Sequence, residues 1–354
     1  MHGMGMRAID MPATSVVIPC HSQREWPQLV DAVDSVVTQS LTPAEVVVAV
    51  DHNPALYGRA KRTFRDITVV ENAFERGVSG NRNTGVQHTS SAVVAMLDGD
   101  AYAREGWLRR LIDPFVDPNV VGTGGAIIPV WRGERPAWFP DEFLWTVGGS
   151  FPTTAQSPTP ARNVWSASMA VRRDAFESVG GFRIGFGKRG NRSRPEDTEL
   201  CLRLAMETGG HWLFVPDAQI EHPVPAERGR FRAFLSRCYQ EGRGKVEMAR
   251  LFAGGTALDS ERVYLRRTLP RAVGRGFAAA VGGNGARHAA IAGAVVLGVA
   301  AAGLGGGIEA LSAGHHRDPT RPRDGTADAT SAIPANPSTE EPGSAEPSMA
   351  GEHP

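Results

Sequence analysis

Apolar residues fall along this chain in two alternating rhythms. Thr14–Pro19 (TSVVIP) is a short, wholly apolar run stopped by proline, as a buried strand is. Between Arg24 and Gln39 the rhythm changes. Trp26, Leu29, Val30, Val33, Val36 and Val37 recur at helical spacing and predict a helix packing one face. Glu45–Val50 predicts a second strand, ending at Asp51. Ile67–Glu71 and Ala92–Leu97 predict a third and fourth, with a helix over Gly80–His88 between them. Strands apolar throughout and alternating with helices indicate a mostly parallel sheet covered on both faces. Ligands bind beyond the carboxyl ends of such strands, which is where Asp51, Asp98 and Asp100 fall. Polar residues at strand ends also serve simply as turn residues.

From Pro129 to Pro160 the pattern is irregular and rich in Pro, Trp and Gly, predicting long loops over the sheet edge. Regularity returns with a strand over Trp165–Val171 and a helix over Asp197–Glu207. A short strand over Trp212–Val215 and a helix over Arg228–Arg250 follow. Ala289–Ile308 then runs 20 residues without a charge, made of seven Ile, Val or Leu, seven Ala and six Gly. That length matches the roughly 20 residues that span a bilayer. Its modest hydrophobicity equally suits a glycine-rich buried or interfacial helix. From Gly314 onward, three arginines, seven acids and seven prolines without apolar periodicity predict a disordered tail.

Composition narrows the classes. With 354 residues, 41% hydrophobic and 21% charged, the chain is neither wholly disordered nor a polytopic membrane protein. Lysine plus arginine equals aspartate plus glutamate, 38 against 38, which argues against a nucleic-acid partner. The average conceals segregation, because residues 226–275 hold 12 basic and 5 acidic side chains. A basic flank, an uncharged segment and an acidic tail fit a positive-inside arrangement, with the body on the cytoplasmic face and a single C-terminal anchor. Cys20, Cys201 and Cys238 lack CxxC spacing, so they support neither a disulfide framework nor a zinc site. Met1–Pro12 has one arginine and no apolar run, and no signal peptide is expected.

The sharpest local feature is Met96-Leu97-Asp98-Gly99-Asp100. An apolar strand there delivers two carboxylates two residues apart, with glycine permitting a tight backbone path. Alone, Asp-x-Asp is a weak signal. Closing a strand in an α/β pattern, it suits Mg²⁺ or Mn²⁺ completing its shell with diphosphate oxygens.

Six segments in order now carry a resemblance. VVIPCHSQ, VVAVDHN, ERGVSGNRNTG, LDGD, NVWSASMAVRRDAFESVGGF and RPEDTELCLRL together resemble a family 2 glycosyltransferase of the GT-A fold. The resemblance covers about Thr14 to Val246. It implies an α/β fold with a mostly parallel mixed sheet flanked by helices and a C-terminal helical extension. Domains follow as 1–13 (extension), 14–225 (GT-A domain), 226–285 (basic helical extension), 289–308 (membrane or interfacial helix) and 309–354 (disordered tail). It implies a nucleotide-sugar donor, UDP-linked, with Pro19, Asp51, Arg82, Asn83 and Asp98 on the donor side. Asp51 would contact the nucleobase and Arg82 the phosphate. Asp98 and Asp100 would hold the metal, Mn²⁺ or Mg²⁺. His222 stands where a histidine completes the metal shell in some GT-A enzymes, though a lone histidine is also commonly structural.

In the family's ED helix the aspartate is the catalytic base, which falls on Asp197. Just after Pro195, at a helix N-terminus, it is expected to stay ionised. Glu196 would orient the acceptor, or else simply favour the helix dipole. Trp165 would stack on the acceptor sugar, or lie in the core. Arg194 closes the basic run Lys188–Arg194, expected as an acceptor-side loop or a solvated one.

Two departures matter. His52-Asn53-Pro54 replaces the family's frequent second aspartate, which leaves the ribose contacts open. FLSRCYQEGRGK stands where processive synthases carry Gln-x-x-Arg-Trp, so one sugar per acceptor is expected. The basic stretch beside an apolar segment suggests a glycan or polyprenyl-linked acceptor. The chain is similar to membrane-bound enzymes of the glucosyl-dolichyl phosphate glucuronosyltransferase type. A nucleotidyltransferase or a non-catalytic membrane-tethered module are the competing readings.

Overall fold

The first four apolar runs become strands: β1 (Thr14–Cys20), β2 (Glu45–Val50), β3 (Thr68–Glu71) and β4 (Val93–Leu97). They pair in parallel in the order β3-β2-β1-β4. Connecting them are α1 (Trp26–Val37), α2 (Pro54–Thr63) and α3 (Val78–Gln87). Helix α2 was not foreseen, yet its signal is local. The Asn53 side chain caps Leu56 N at 3.1 Å and Pro54 takes the first helical position.

This computed structural model describes residues 11–151, 157–190, 192–252, 266, 269–271, 273–274 and 285–312. Residues 1–10 of the expected N-terminal extension, most of 253–284 and the expected tail beyond Ser312 lie outside the described residues.

Past β4 the sheet becomes mixed. The elements in order are β5 (Tyr102–Ala103), α4 (Trp107–Ile112), β6 (Val120–Trp131), β7 (Thr159–Ala161), β8 (Ser168–Arg172) and α5 (Arg173–Ser178). A small hairpin of β9 (Gly187–Arg189) and β10 (Arg192–Arg194) leads into α6 (Glu196–Thr208) and β11 (His211–Val224). Two long helices, α7 (Phe231–Leu251) and α8 (Gly285–Ser312), complete the described chain. Strand β8 lies antiparallel between β4 and β6, and β11 runs parallel to β6. Strands β5 and β7 pair antiparallel with β11.

Three expectations change. The stretch expected as loops is shorter, because β6 runs to Trp131 and a 3-10 helix forms over Asp141–Val147. Three glycines in β6, Gly122, Gly124 and Gly125, had diluted its apolar pattern. The short strand at Trp212 is the start of a 14-residue strand. Strand β8 begins at Ser168, so Trp165 precedes it.

Alternate residues of each central strand feed opposite layers, as the strand period requires. Val16 and Ile18 pack with Leu29, Val33 and Trp107 on one face. Val17 packs with Met96, Phe176, Leu200 and Trp212 on the other. A third apolar cluster joins Phe139 and Phe143 to Phe234 and Cys238 of α7 and Val295 of α8. Helix α8 contains the uncharged run and is long and apolar enough to cross a membrane by length and composition.

Candidate active site

At the carboxyl end of β4 the chain turns through Asp98, Gly99 and Asp100. Only glycine fits the middle position, since a Cβ there would stand 2.6 Å from the Pro19 carbonyl oxygen. Pro19 thus supports the turn through its backbone. From the far side of the sheet β11 delivers His222, whose Nε2 lies 3.5 Å from Asp100 Oδ1. Ligand atoms of Asp98, Asp100 and His222 all lie within 4.8 Å of one another. The ring's Nδ1 is buried without a hydrogen-bond partner, so its orientation answers to the carboxylates rather than to a second anchor. Two carboxylates and an imidazole fit a divalent cation such as Mn²⁺. The structure therefore brings together the three residues read as ligands.

Across from them stands the start of α6. Asp197 Oδ1 accepts a hydrogen bond from Ser166 Oγ at 2.5 Å. Arg82 joins the two sides: its Nη2 donates to Asp98 Oδ1 at 2.8 Å and its Nη1 to Glu196 Oε1 at 3.4 Å. Its side chain is only 4% exposed, and Nε is buried without a partner. Burial works against that guanidinium's charge, but Asp98, Asp197 and Glu196 outweigh it and hold it charged.

The electrostatics correct one expectation. The helix N-terminus was expected to keep Asp197 ionised, yet its carboxyl is raised above the usual range. Burial is the main cause, with Arg82 and the Ser166 hydrogen bond opposing it. Glu196 is pushed up to about 7, by burial first and then by the charge of Asp197, against the pull of Arg82. A dipole at a helix end is a modest effect, and desolvation exceeds it once the carboxyl leaves water. Burial also raises Asp100, with His222 opposing and Asp98 adding to the rise.

Asp51, read as a donor-side residue, directly follows β2 as the sequence predicted. Its Oδ1 accepts from Asn72 Nδ2 at 2.7 Å and lies 2.9 Å from His52 Nδ1, and its Oδ2 accepts from Gly77 N at 3.0 Å. His52 holds a left-handed backbone, φ 47°, and its carbonyl accepts from Arg76 Nη2 at 2.8 Å.

Arg82, read as the phosphate contact, meets the carboxylates of Asp98 and Glu196 in this structure. Asn83 is buried, its amide bonded both ways to the Phe182 backbone at 2.8 and 2.9 Å. Trp165 sits in the turn before β8, packed against the apolar core, the second of the two places read for it. Arg194 is turned to α7, its Nε 3.3 Å from Glu247 Oε2. Ser166, Asn72 and Gly77 were missed. Ser166 and Gly77 stood inside the segments that carried the resemblance, but nothing local marked their partners.

Residues 15–180 match the family model Glycosyl transferase family 2. Over 257 residues the chain is 30% identical to the glucosyl-dolichyl phosphate glucuronosyltransferase of Haloferax volcanii, covering 71% of this chain and 82% of that protein. The chain belongs to glycosyltransferase family 2. This family 2 glycosyltransferase is also 29% identical over 173 residues to the pre-mycofactocin glycosyltransferase of Mycobacterium tuberculosis, covering 49% of this chain and 35% of that one. Among solved structures it is similar to the mannosyltransferase PcManGT from Pyrobaculum calidifontis in complex with GDP-Man and Mn²⁺. The TM-score is 0.52 at 18% identity, covering 82% of this chain and 87% of that one. The family 2 glycosyltransferase has the GT-A fold.

Proposed function

We propose that this glycosyltransferase moves one sugar from a UDP-sugar to a hydroxyl of a glycan or polyprenyl-linked acceptor, inverting the anomeric carbon, at the cytoplasmic face of a membrane. One observation carries the reading: Asp197, held by Ser166, faces the Asp98–Asp100–His222 group across the buried Arg82. Mn²⁺ or Mg²⁺ held by Asp98, Asp100 and His222 would neutralise charge developing on the donor diphosphate.

Asp197 takes the proton of the acceptor hydroxyl as that oxygen attacks the anomeric carbon. The bond from that carbon to the diphosphate oxygen breaks, and the nucleoside diphosphate leaves with the electron pair. One displacement from the opposite face inverts the configuration. Ser166 fixes the Asp197 carboxylate and favours its charged form. Glu196, poised near neutrality, serves to orient the acceptor. Arg82 keeps this cluster of carboxylates together. A phosphate acceptor would need no general base, so a base at Asp197 favours a hydroxyl. The Haloferax volcanii relative, a glucosyl-dolichyl phosphate glucuronosyltransferase, supports a lipid-borne sugar as acceptor.

The test is nucleoside diphosphate release with Mn²⁺ from UDP-glucose, UDP-galactose, UDP-glucuronate and GDP-mannose in turn. Release from one UDP-sugar supports the reading. Release from GDP-mannose alone would overturn the UDP assignment, and silence across the panel would overturn the whole. If Asp197→Asn turned over normally while Asp100→Ala did not, the hydroxyl acceptor would fall.

A further inference from the structure

Helix α8 presents two unlike faces. Its inner face, with Ala292, Val295, Gly298, Gly305 and Glu309 buried, contacts the rest of the protein along its length. It meets α7 backbone to backbone: a Cβ on Gly242 would collide with the Ala302 carbonyl, and one on Gly305 with the Tyr239 carbonyl. Arg243 donates twice to Glu309 Oε2, at 2.8 and 2.7 Å, and Arg250 donates to the Glu309 carbonyl at 3.0 Å. Helix α7 in turn backs the site. Arg237 donates to Ser193 Oγ at 2.9 Å, and Arg194 pairs with Glu247, just before the Pro195 that caps α6.

The outer face is entirely apolar. Val296, Leu297, Leu304, Ile308 and Leu311 are 40–83% exposed, and only Gly and Ala are exposed between Ala289 and Leu311 otherwise. Exposed arginines stand on the same C-terminal extension, among them Arg230, Arg232, Arg266, Arg271 and Arg287.

We propose that α8 docks in the plane of an anionic lipid leaflet through this outer face and does not cross it. The inference rests on the reading that the enzyme works at a membrane, and adds how it sits there. Spanning is disfavoured by α7, which carries seven charged side chains in 21 residues and is joined to α8 by the Arg243–Glu309 ion pair, the Arg250 hydrogen bonds and backbone contact. A crossing α8 would draw those charges into hydrocarbon or break the contacts. The excess of basic over acidic side chains on the extension, 12 against 5 over residues 226–275, repels a second copy and attracts anionic headgroups, so the occupant is lipid. A lipid-borne acceptor then meets an enzyme whose α7, packed on the lipid-facing α8, holds the segment that leads into α6.

The test uses full-length protein and phosphatidylcholine vesicles with or without phosphatidylglycerol. Flotation is expected with phosphatidylglycerol, and is expected to drop at least about tenfold in Leu304→Glu/Leu311→Glu, which removes two leucines from the lipid-facing side. That variant should release UDP in solution at the wild-type rate, showing that it folds. The native cysteines are buried, so introduced ones report topology cleanly. In vesicle-bound protein, Ala286→Cys and Ser312→Cys, both at exposed positions near the two ends of α8, should both react with an impermeant maleimide added outside. Protection of Ser312→Cys until detergent is added would mean a spanning helix and overturn the proposal. Unchanged flotation of the double variant would overturn the lipid face, as would a wild-type dimer that the variant dissolves. If the wild type floats on no vesicle, the membrane reading itself falls while UDP release still tests the reaction.

Discussion

Two of the carboxylate centres at this end of the sheet, at Asp51 and at the start of α6, are built on opposite plans. At the end of β2, Asp51 is surrounded by groups that suit a carboxylate, namely Asn72, His52 and the Gly77 amide. At the start of α6, Glu196 and Asp197 are crowded beside one arginine, and both are raised by burial. The first arrangement fixes an acceptor of hydrogen bonds in place. The second makes charge costly, which is what a group that exchanges a proton requires. On the proposed reading, recognition at Asp51 and proton transfer at Asp197 are separated by how each carboxyl is solvated.

The largest effects should come from breaking the proton-transfer side. Asp197→Asn should lower kcat roughly 10²–10⁴-fold with donor KM little changed, read as UDP release. A rise in donor KM instead would put Asp197 on the recognition side. Next comes stability. Arg82→Met should cost about 3 kcal/mol in urea unfolding, since it leaves the half-buried Asp98 and Glu196 carboxylates without their counter-charge. Adding Glu196→Gln to Arg82→Met should recover part of that loss, and no recovery would show that Arg82 acts by packing alone.

A pH dependence follows in size. The ordinary value for Glu196 is 4.5 and the folded value about 7, so the folded state holds a proton that the unfolded chain has lost in between. Its stabilising contribution is complete below about 4.5 and disappears as pH rises through about 7. The metal-free protein should therefore lose up to about 3 kcal/mol across that window, and Glu196→Gln should flatten the curve. A curve that the substitution leaves intact would assign the dependence to another group. Smallest is Asn72→Ala. It removes one hydrogen bond to Asp51 and should weaken donor binding by about 1 kcal/mol with kcat preserved. A fall in kcat without a change in KM would dissolve the division between the two centres.

Much of this was legible because it is local. Strand β2 was read to the residue, and β1, β4, α1 and α6 to within two or three. A buried strand must be apolar throughout, and a helix must repeat at its own pitch. The Asp98–Asp100 pair was visible because one strand end holds both. Strands β6 and β11 were shortened or missed because glycines in one and Pro216, Asp217 and Pro223 in the other interrupt the pattern. Their pairing tolerates this, with a register shift between Val215 and Gln219.

The alternation of elements, the carboxylate pair at the end of β4 and the start of α6 each depend on a few neighbouring residues and so are local properties of the chain. Tertiary packing set what surrounds them. It set Arg82, read as a phosphate contact, against Asp98 and Glu196, and brought Ser166 to Asp197. It seated His222 beside Asp100 from 122 residues away in the chain. It also reversed the expected charge balance at Asp197. A helix dipole can be read from position, whereas desolvation depends on every element that closes over the site.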